Sequence, residues 1–107
     1  MTKNEAEIEN EIVAKGLTSL RLSPSEIDDC ICSEEYHVFS NRRTTVCILT
    51  LKNGYAVVGD SSCVHPDNFN AEIGREIARE NARNKIWELE GYRLRSKLFE
   101  AGSEPAG

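Results

Sequence analysis

The sequence predicts an α+β fold: N-terminal helices, a three-stranded antiparallel β-meander, and a long C-terminal helix packed on the sheet. Three observations carry that reading. Asn53-Gly54 stands between two apolar runs, the strongest short-range signal for a two-residue type I′ hairpin. The hydrophobic period changes to that of strands at Glu35. Past Asn70 it becomes helical, with apolar side chains three and four residues apart.

In chain order, residues 3–15 read as an acidic helix broken by Ile8, Ile12 and Val13, with Gly16 in the C′ position. Its apolar stripe is narrow, so docking must stabilise it. A second, short helix opens at Ser23-Pro24-Ser25-Glu26, where Ser23 caps, Pro24 suits the first turn and Glu26 closes a capping box. It is expected to run to Cys32 or Glu34 and to bury Ile27, Cys30 and Ile31. A short strand follows over Tyr36 to Phe39, then a turn at Ser40-Asn41. The next strand runs from Arg43 or Thr44 to Leu51, and the return strand from Tyr55 to Ser62.

With Asn53-Gly54 as the whole loop, the register pairs Leu49 with Val58 and Leu51 with Ala56 on one face. Val46 then meets Ser61, Ile48 meets Gly59 and Thr50 meets Val57 on the other. Apolar residues on both faces require two covers. The long helix, from Asn68 or Asn70 to Phe99, supplies one through Ile73, Ile77, Ala78, Ala82, Ile86, Leu89 and Leu94 or Leu98. The N-terminal helices or a second copy would supply the other, so a homodimer or higher symmetric oligomer is expected. Gly91 costs the helix about 1 kcal/mol relative to Ala and marks a kink or the end of its docked part. Residues 1–101 form one domain and 102–107 a flexible tail.

Charge is distributed unevenly along the 107 residues, whose formal net charge is −5. Residues 1–35 carry nine acids against three bases, whereas 70–99 carry seven bases against five acids. The acidic front argues against binding polymeric nucleic acid, but leaves room for a local anion on the helix side. No apolar run has the length of a membrane span, and the start, Met1 to Glu7, leads into acids rather than an export signal. Cys30, Cys32, Cys47 and Cys63 form no Cys-x-x-Cys pair and read as reduced, packed thiols. A zinc set of Cys30, Cys32, Cys63 and His65 matches no common ligand spacing, so neither metal nor cofactor is expected.

Catalysis finds little support. His65 as base would need Ser61, Ser62 or Cys63 turned towards it, and no nucleophile elbow or cysteine-protease signature surrounds them. The strand-to-helix junction from Asp60 to Arg75 is more promising, because the start of a helix presents free N–H groups and a positive dipole end to an anion. Asn68 and Asn70 flank that start. Arg75, Arg79 and Arg83 line one side of the helix, paired in sequence with Glu72, Glu76 and Glu80. Such a pattern is either a solvated face or, at Arg75 and Arg79, a phosphate clamp. Arg42 and Arg43 would add a second cationic wall, and Arg93 and Arg95 flank the other end of the helix. Phe69 is either a staple on the helix start or a platform for a base, with Tyr55 as a second platform. Trp87 and Tyr92 read as core or interface anchors.

The run Leu49 to Tyr55, then Val58 to Val64, Pro66 to Ala82 and Lys85 to Tyr92, with Leu22 to Asp28 and Ser33 to Tyr36 before it, resembles a family of small tailed-phage proteins, the gp forty-nine/gp sixty-six family. The order of elements is also similar to the phage sponge proteins that defeat the bacterial Thoeris system by holding a cyclic ADP-ribose-type signal or cyclic oligonucleotides in symmetric assemblies. The resemblance implies a non-enzymatic anti-defence protein of the host cell cytoplasm that sequesters a cyclic nucleotide signalling molecule. Arg43, Tyr55, Asn68, Phe69, Asn70, Arg75, Arg79 and Arg95 are the candidate ligand-binding residues. The alternative is a phage protein that inhibits a host protein through the acidic surface of Glu5, Glu7, Glu9 and Glu11.

Overall fold

The computed structural model describes residues 4–17 and 20–102. Among these residues, helices α1 (Glu5–Ala14), α2 (Pro24–Asp29) and α3 (Ala71–Glu100) accompany strands β1 (Ile31–Val38), β2 (Thr44–Leu51) and β3 (Ala56–Ser62), with a 3-10 turn at Pro66–Asn68. The sheet is antiparallel in the order β1-β2-β3, and α3 packs on β2 and β3. This is the α+β architecture expected from the sequence. Residue 3 of the first expected helix and residues 103–107 of the expected tail lie outside the described residues.

Local chemistry sets the helix ends. Asn4 Oδ1 accepts the Glu7 N–H at 2.8 Å, and α1 closes at Gly16, whose φ of +70° suits glycine. Ser23 and Asn70 cap α2 and α3 in the same way, accepting from Glu26 N and Ile73 N.

Three expectations are corrected. First, α2 stops at Asp29 and β1 begins at Ile31, well before Tyr36. Cys30 O accepts from Lys52 N at 3.0 Å and Ile31 pairs with Leu51, so ladder hydrogen bonds override the helical spacing of Ile27, Cys30 and Ile31. Second, the β2–β3 loop has three residues, Lys52 to Gly54, because Leu51 N donates to Tyr55 O at 2.7 Å. Gly54 takes the left-handed position, with φ +89°. The register therefore shifts by one: Leu49 faces Val57, Ile48 faces Val58 and Thr50 faces Ala56. That shift puts Val57 and Gly59 on the buried face with Thr45, Cys47 and Leu49, and leaves Val58 outside.

Third, the stripe of α3 against the sheet is small: Gly74, Ala78, Ala82 and then Ile86 are buried, while Ile73, Ile77 and Leu89 are 54%, 47% and 41% exposed. Gly59 explains the choice. A Cβ there would lie 2.2 Å from Ala82 N and 2.3 Å from Ala78 O, so the helix backbone rides directly on the strand and larger side chains flank the contact.

The N-terminal helices leave the second sheet face open. α1 reaches α3 through Glu5 and α2 packs against α3 and β1, whereas Phe39 and Val58 on the far face are 45% and 42% exposed. The longest dimension is 53 Å, and a radius of gyration of 17.0 Å exceeds the roughly 13 Å of a compact chain of this length. The helix runs unbroken through Gly91, but no described residue beyond Ile86 is fully buried, and Tyr92 is 78% exposed. Gly91 thus lies in the projecting part of the helix.

Candidate functional site

One end of the sheet collects most of the expected site. In the β1–β2 turn, Phe39 N donates to Thr44 O, and Asn41 Oδ1 accepts from Arg43 N and Thr44 N at 2.9 and 3.1 Å. Arg42 is left in the left-handed region at φ +58°, a position that glycine or asparagine usually fills. Cys63 N donates to Arg43 O at 2.9 Å, which ties the loop leading into α3 to the same end. At the start of α3, Gly74 lies against Thr45: a Cβ on it would sit 2.8 Å from the Thr45 hydroxyl. Arg42, Arg43, Asn68, Phe69, Asn70 and Arg75 are thereby drawn to one end of the molecule.

Their side chains are not equally available. Phe69 packs over Gly74, four positions beyond the Asn70 cap, which is the staple arrangement rather than an open stacking platform. Asn70 spends its side-chain oxygen on Ile73 N. Arg42, Arg43 and Arg75 are exposed and have no ion-pair partner among the described residues. Every other arginine is engaged: Arg21 with Glu9, Arg79 with Glu34, Arg83 with Glu5 and Asp28, Arg93 with Glu90, and Arg95 as well. Three arginines without an ion-pair partner among the described residues therefore lie at the end of the molecule where the 30-residue helix has its positive pole.

The remaining candidates lie elsewhere. Tyr55 is in the hairpin at the opposite end of the sheet, 58% exposed, and Arg95 is on the projecting part of α3. Phe69 and Tyr55 thus form no common pocket. Arg79 Nε donates to Glu34 Oε2 at 3.1 Å, and Tyr36 O–H donates to the other carboxylate oxygen at 2.9 Å. The Tyr36 hydrogen bond and then Arg79 hold the Glu34 carboxyl below its ordinary range. Burial, followed by the bond to Glu34, pushes Tyr36 up to about 12.

Arg83, read from sequence only as the last member of the stripe, is the most committed side chain of all, at 6% exposure. Its Nε donates to Asp28 Oδ1 at 2.8 Å and a terminal nitrogen to Pro24 O at 3.1 Å, while the other terminal nitrogen donates to Glu5 Oε2. Trp87 Nε1 donates to the same Glu5 oxygen at 3.1 Å. Nothing in the local sequence announces this knot, because its acids lie in α1 and α2. It also turns Glu5 inward, and Glu9 pairs with Arg21, so the acidic surface expected of four glutamates is reduced to Glu7 and to Glu11 beside Lys15.

The sulfur chemistry does not assemble. Cys30 and Cys32 sit at the hairpin end of the sheet and Cys63 at the other, so the four groups of a zinc set stay apart. No group of three metal-binding side chains occurs among the described residues. Cys63 Sγ donates to the backbone carbonyl of His65 at 3.3 Å, and the His65 Nδ1 accepts from Asp67 N, so thiol and imidazole each have another partner. A cleft of about 490 Å³ lies between α1 and α3, lined by Ile8, Ile12, Leu22 and Trp87 with Glu9 and Arg21. Another, of about 400 Å³, contains Cys30, Lys52, Glu90 and Arg93. Neither is lined by any of the eight candidate ligand residues. No described helix is long and apolar enough to cross a membrane.

Residues 22–98, most of the chain, match the family model described as phage protein (N4 Gp49/phage Sf6 gene 66) family. No curated protein and no solved structure matches.

Proposed function

We infer a binding function for this chain, which belongs to the phage protein (N4 Gp49/phage Sf6 gene 66) family. It captures, without turnover, a phosphate-bearing cyclic nucleotide of the cyclic ADP-ribose or cyclic oligonucleotide class, and so blunts an immune signal in the cytoplasm of the infected cell. The observation that carries this reading is the set of arginines without an ion-pair partner among the described residues, Arg42 and Arg43 in the β1–β2 turn and Arg75 in α3, at the end of the molecule where α3 begins. Guanidinium groups bind phosphate oxygens in bidentate fashion, and helix N–H groups favour the same charge. Arg42 adds weight, since keeping an arginine in a left-handed turn position costs about 1 kcal/mol relative to glycine. Phe69 is engaged with Gly74, so recognition in this reading rests on phosphate rather than on stacking between Phe69 and Tyr55.

The test is mass spectrometry of small molecules released by heat from protein exposed to lysate of cells with activated nucleotide signalling. An intact cyclic nucleotide, absent after Arg75→Glu or Arg42→Glu/Arg43→Glu, supports capture. A hydrolysed product would instead make the protein an enzyme. Finding no small molecule, with a host protein bound by the wild type and lost on Glu7→Gln/Glu11→Gln, would replace capture by inhibition of a host protein.

A further inference from the structure

The two edges of the sheet differ in a way that points to a partner. β2 is bonded to β3 through Leu51, whose N–H reaches Tyr55 O, and to β1 through Thr44, whose carbonyl accepts Phe39 N–H. Alternation then turns the main-chain groups of Val58 and Asp60 outward on β3, and those of Glu34, Tyr36 and Val38 outward on β1. On β3 the outward carbonyls are taken: Lys85 Nζ donates to Val58 O and Asn81 Nδ2 to Asp60 O at 2.8 Å. On β1 the outward N–H and C=O groups have no partner among the described residues. The helix that guards one edge leaves the other open, and an unpaired edge is a template for another strand. Near it, Val38 and Phe39 are 39% and 45% exposed.

We propose that β1 pairs antiparallel with β1 of a second copy, about a two-fold axis at Tyr36, to make one continuous six-stranded sheet. The sequence of β1 selects both the occupant and the register. An axis at Glu34 or at Glu35 would set that carboxylate against its own symmetry mate, and an axis at His37 would oppose two imidazoles. An axis at Tyr36 sets Glu35 of each copy opposite His37 of the other, twice, with Glu34 opposite Val38. It also matches outward groups to outward groups, so that Glu34, Tyr36 and Val38 all gain ladder bonds. Glu34 keeps its contact with Arg79 on the helix-covered face. This assembly is independent of the ligand reading, because Arg42, Arg43 and Arg75 lie outside the paired segment.

Sedimentation equilibrium and native mass spectrometry of the full chain over a dilution series test it, with hydrogen exchange as a second readout. The wild type is expected to dimerise, with slow exchange at the amides of Glu34, Tyr36 and Val38. His37→Glu, which opposes two carboxylates at each contact, should weaken the dimer by about tenfold or more, taking roughly 0.7 kcal/mol for each of the two contacts. The charge swap Glu35→Lys/His37→Glu should restore it. A wild type that stays monomeric throughout overturns the proposal. So does a dimer that His37→Glu leaves unchanged while those three amides exchange freely, an outcome that would move the interface to the open sheet face around Ile48 and Val58.

Discussion

Arg75 and Arg83 lie eight residues apart on one helix and meet opposite fates. Arg83 is nearly buried and donates to two carboxylates and a carbonyl, whereas Arg75 stands in solvent with no ion-pair partner among the described residues. Arg79, between them, is intermediate, with one carboxylate partner. Helical spacing alone makes the three equivalent. The distinction comes from what the rest of the chain brings up: α1 and α2 at Arg83, β1 at Arg79, and no acid among the described residues at Arg75. A buried guanidinium must be paired, since its desolvation is otherwise uncompensated, and it is then unavailable to a ligand. An exposed one keeps its binding capacity at little cost in stability.

The seating of α3 on Gly59 sorts the three arginines, so the severest test of the comparison is to unseat the helix. Gly59→Ala would drive a methyl group into the backbone at Ala78 and Ala82, where no side-chain rotation can relieve the contact. A loss of about 3 kcal/mol or more is expected in urea unfolding, at the upper end of overpacking effects. Next comes the knot itself. Arg83→Met keeps much of the aliphatic volume but leaves Glu5 and Asp28 uncompensated. Both acids are partly exposed and can rehydrate, so the loss should be about 2–3 kcal/mol rather than the full cost of breaking a buried pair. Trp87, the single tryptophan, bonds to Glu5 and should report the loosening of α1 as a red shift in its emission.

Arg79 supplies a pH-dependent middle case. The Glu34 carboxyl is depressed, by the Tyr36 hydrogen bond first and Arg79 second, so its contribution is present above the ordinary value of 4.5 and is lost as pH falls through the lowered one. Tyr36 is shifted the other way, by burial first and then by Glu34. Its contribution is complete below 10.0 and disappears as pH rises towards about 12. Alkaline absorbance titration should show a late tyrosinate step that is missing in Tyr36→Phe, and that variant should also flatten the alkaline limb of the stability profile. Persistence of the late step in Tyr36→Phe would remove the Tyr36–Glu34–Arg79 chain from the explanation.

What the sequence conveyed follows the range of the interactions involved. Caps at Ser23 and Gly16, the span of β2 and the length of α3 depend on neighbours within a few residues and were readable. The hairpin was recognised, but its register was not, because Asn53-Gly54 fits a two-residue loop and also the end of a three-residue loop with Gly54 left-handed. On α3 the inward positions Ala78, Ala82 and Ile86 are legible from spacing, whereas Ile73, Ile77 and Leu89 fall outside and Gly74 inside, because only small residues fit where the helix backbone rides on Gly59 and Thr45. At the candidate site, Asn68, Phe69, Asn70 and Arg75 lie together by chain proximity to the helix start, whereas Arg43 reaches that end through the sheet, by the Cys63 N to Arg43 O bond and the contact of Gly74 with Thr45. Tyr55 and Arg95 were separated from it by the direction of β2 and the length of α3, and Arg83's partners come from 55 and 78 residues away.

The smallest effects on stability should accompany the largest on binding. Arg42→Gly relieves a left-handed arginine, offset in part by the added freedom of glycine in the unfolded chain, so a net gain of up to about 0.5 kcal/mol is expected. Arg75→Glu removes no ion pair among the described residues, and introduces an acid near a helix start, where the dipole favours it. Its unfolding free energy should stay within about 0.5 kcal/mol of the wild type. If both variants hold their stability and lose a phosphate-bearing ligand, the contrast with Arg83 is one of task as well as burial. If Arg75→Glu instead unfolds the protein as readily as Arg83→Met does, Arg75 has a structural partner, and the difference between the two arginines collapses.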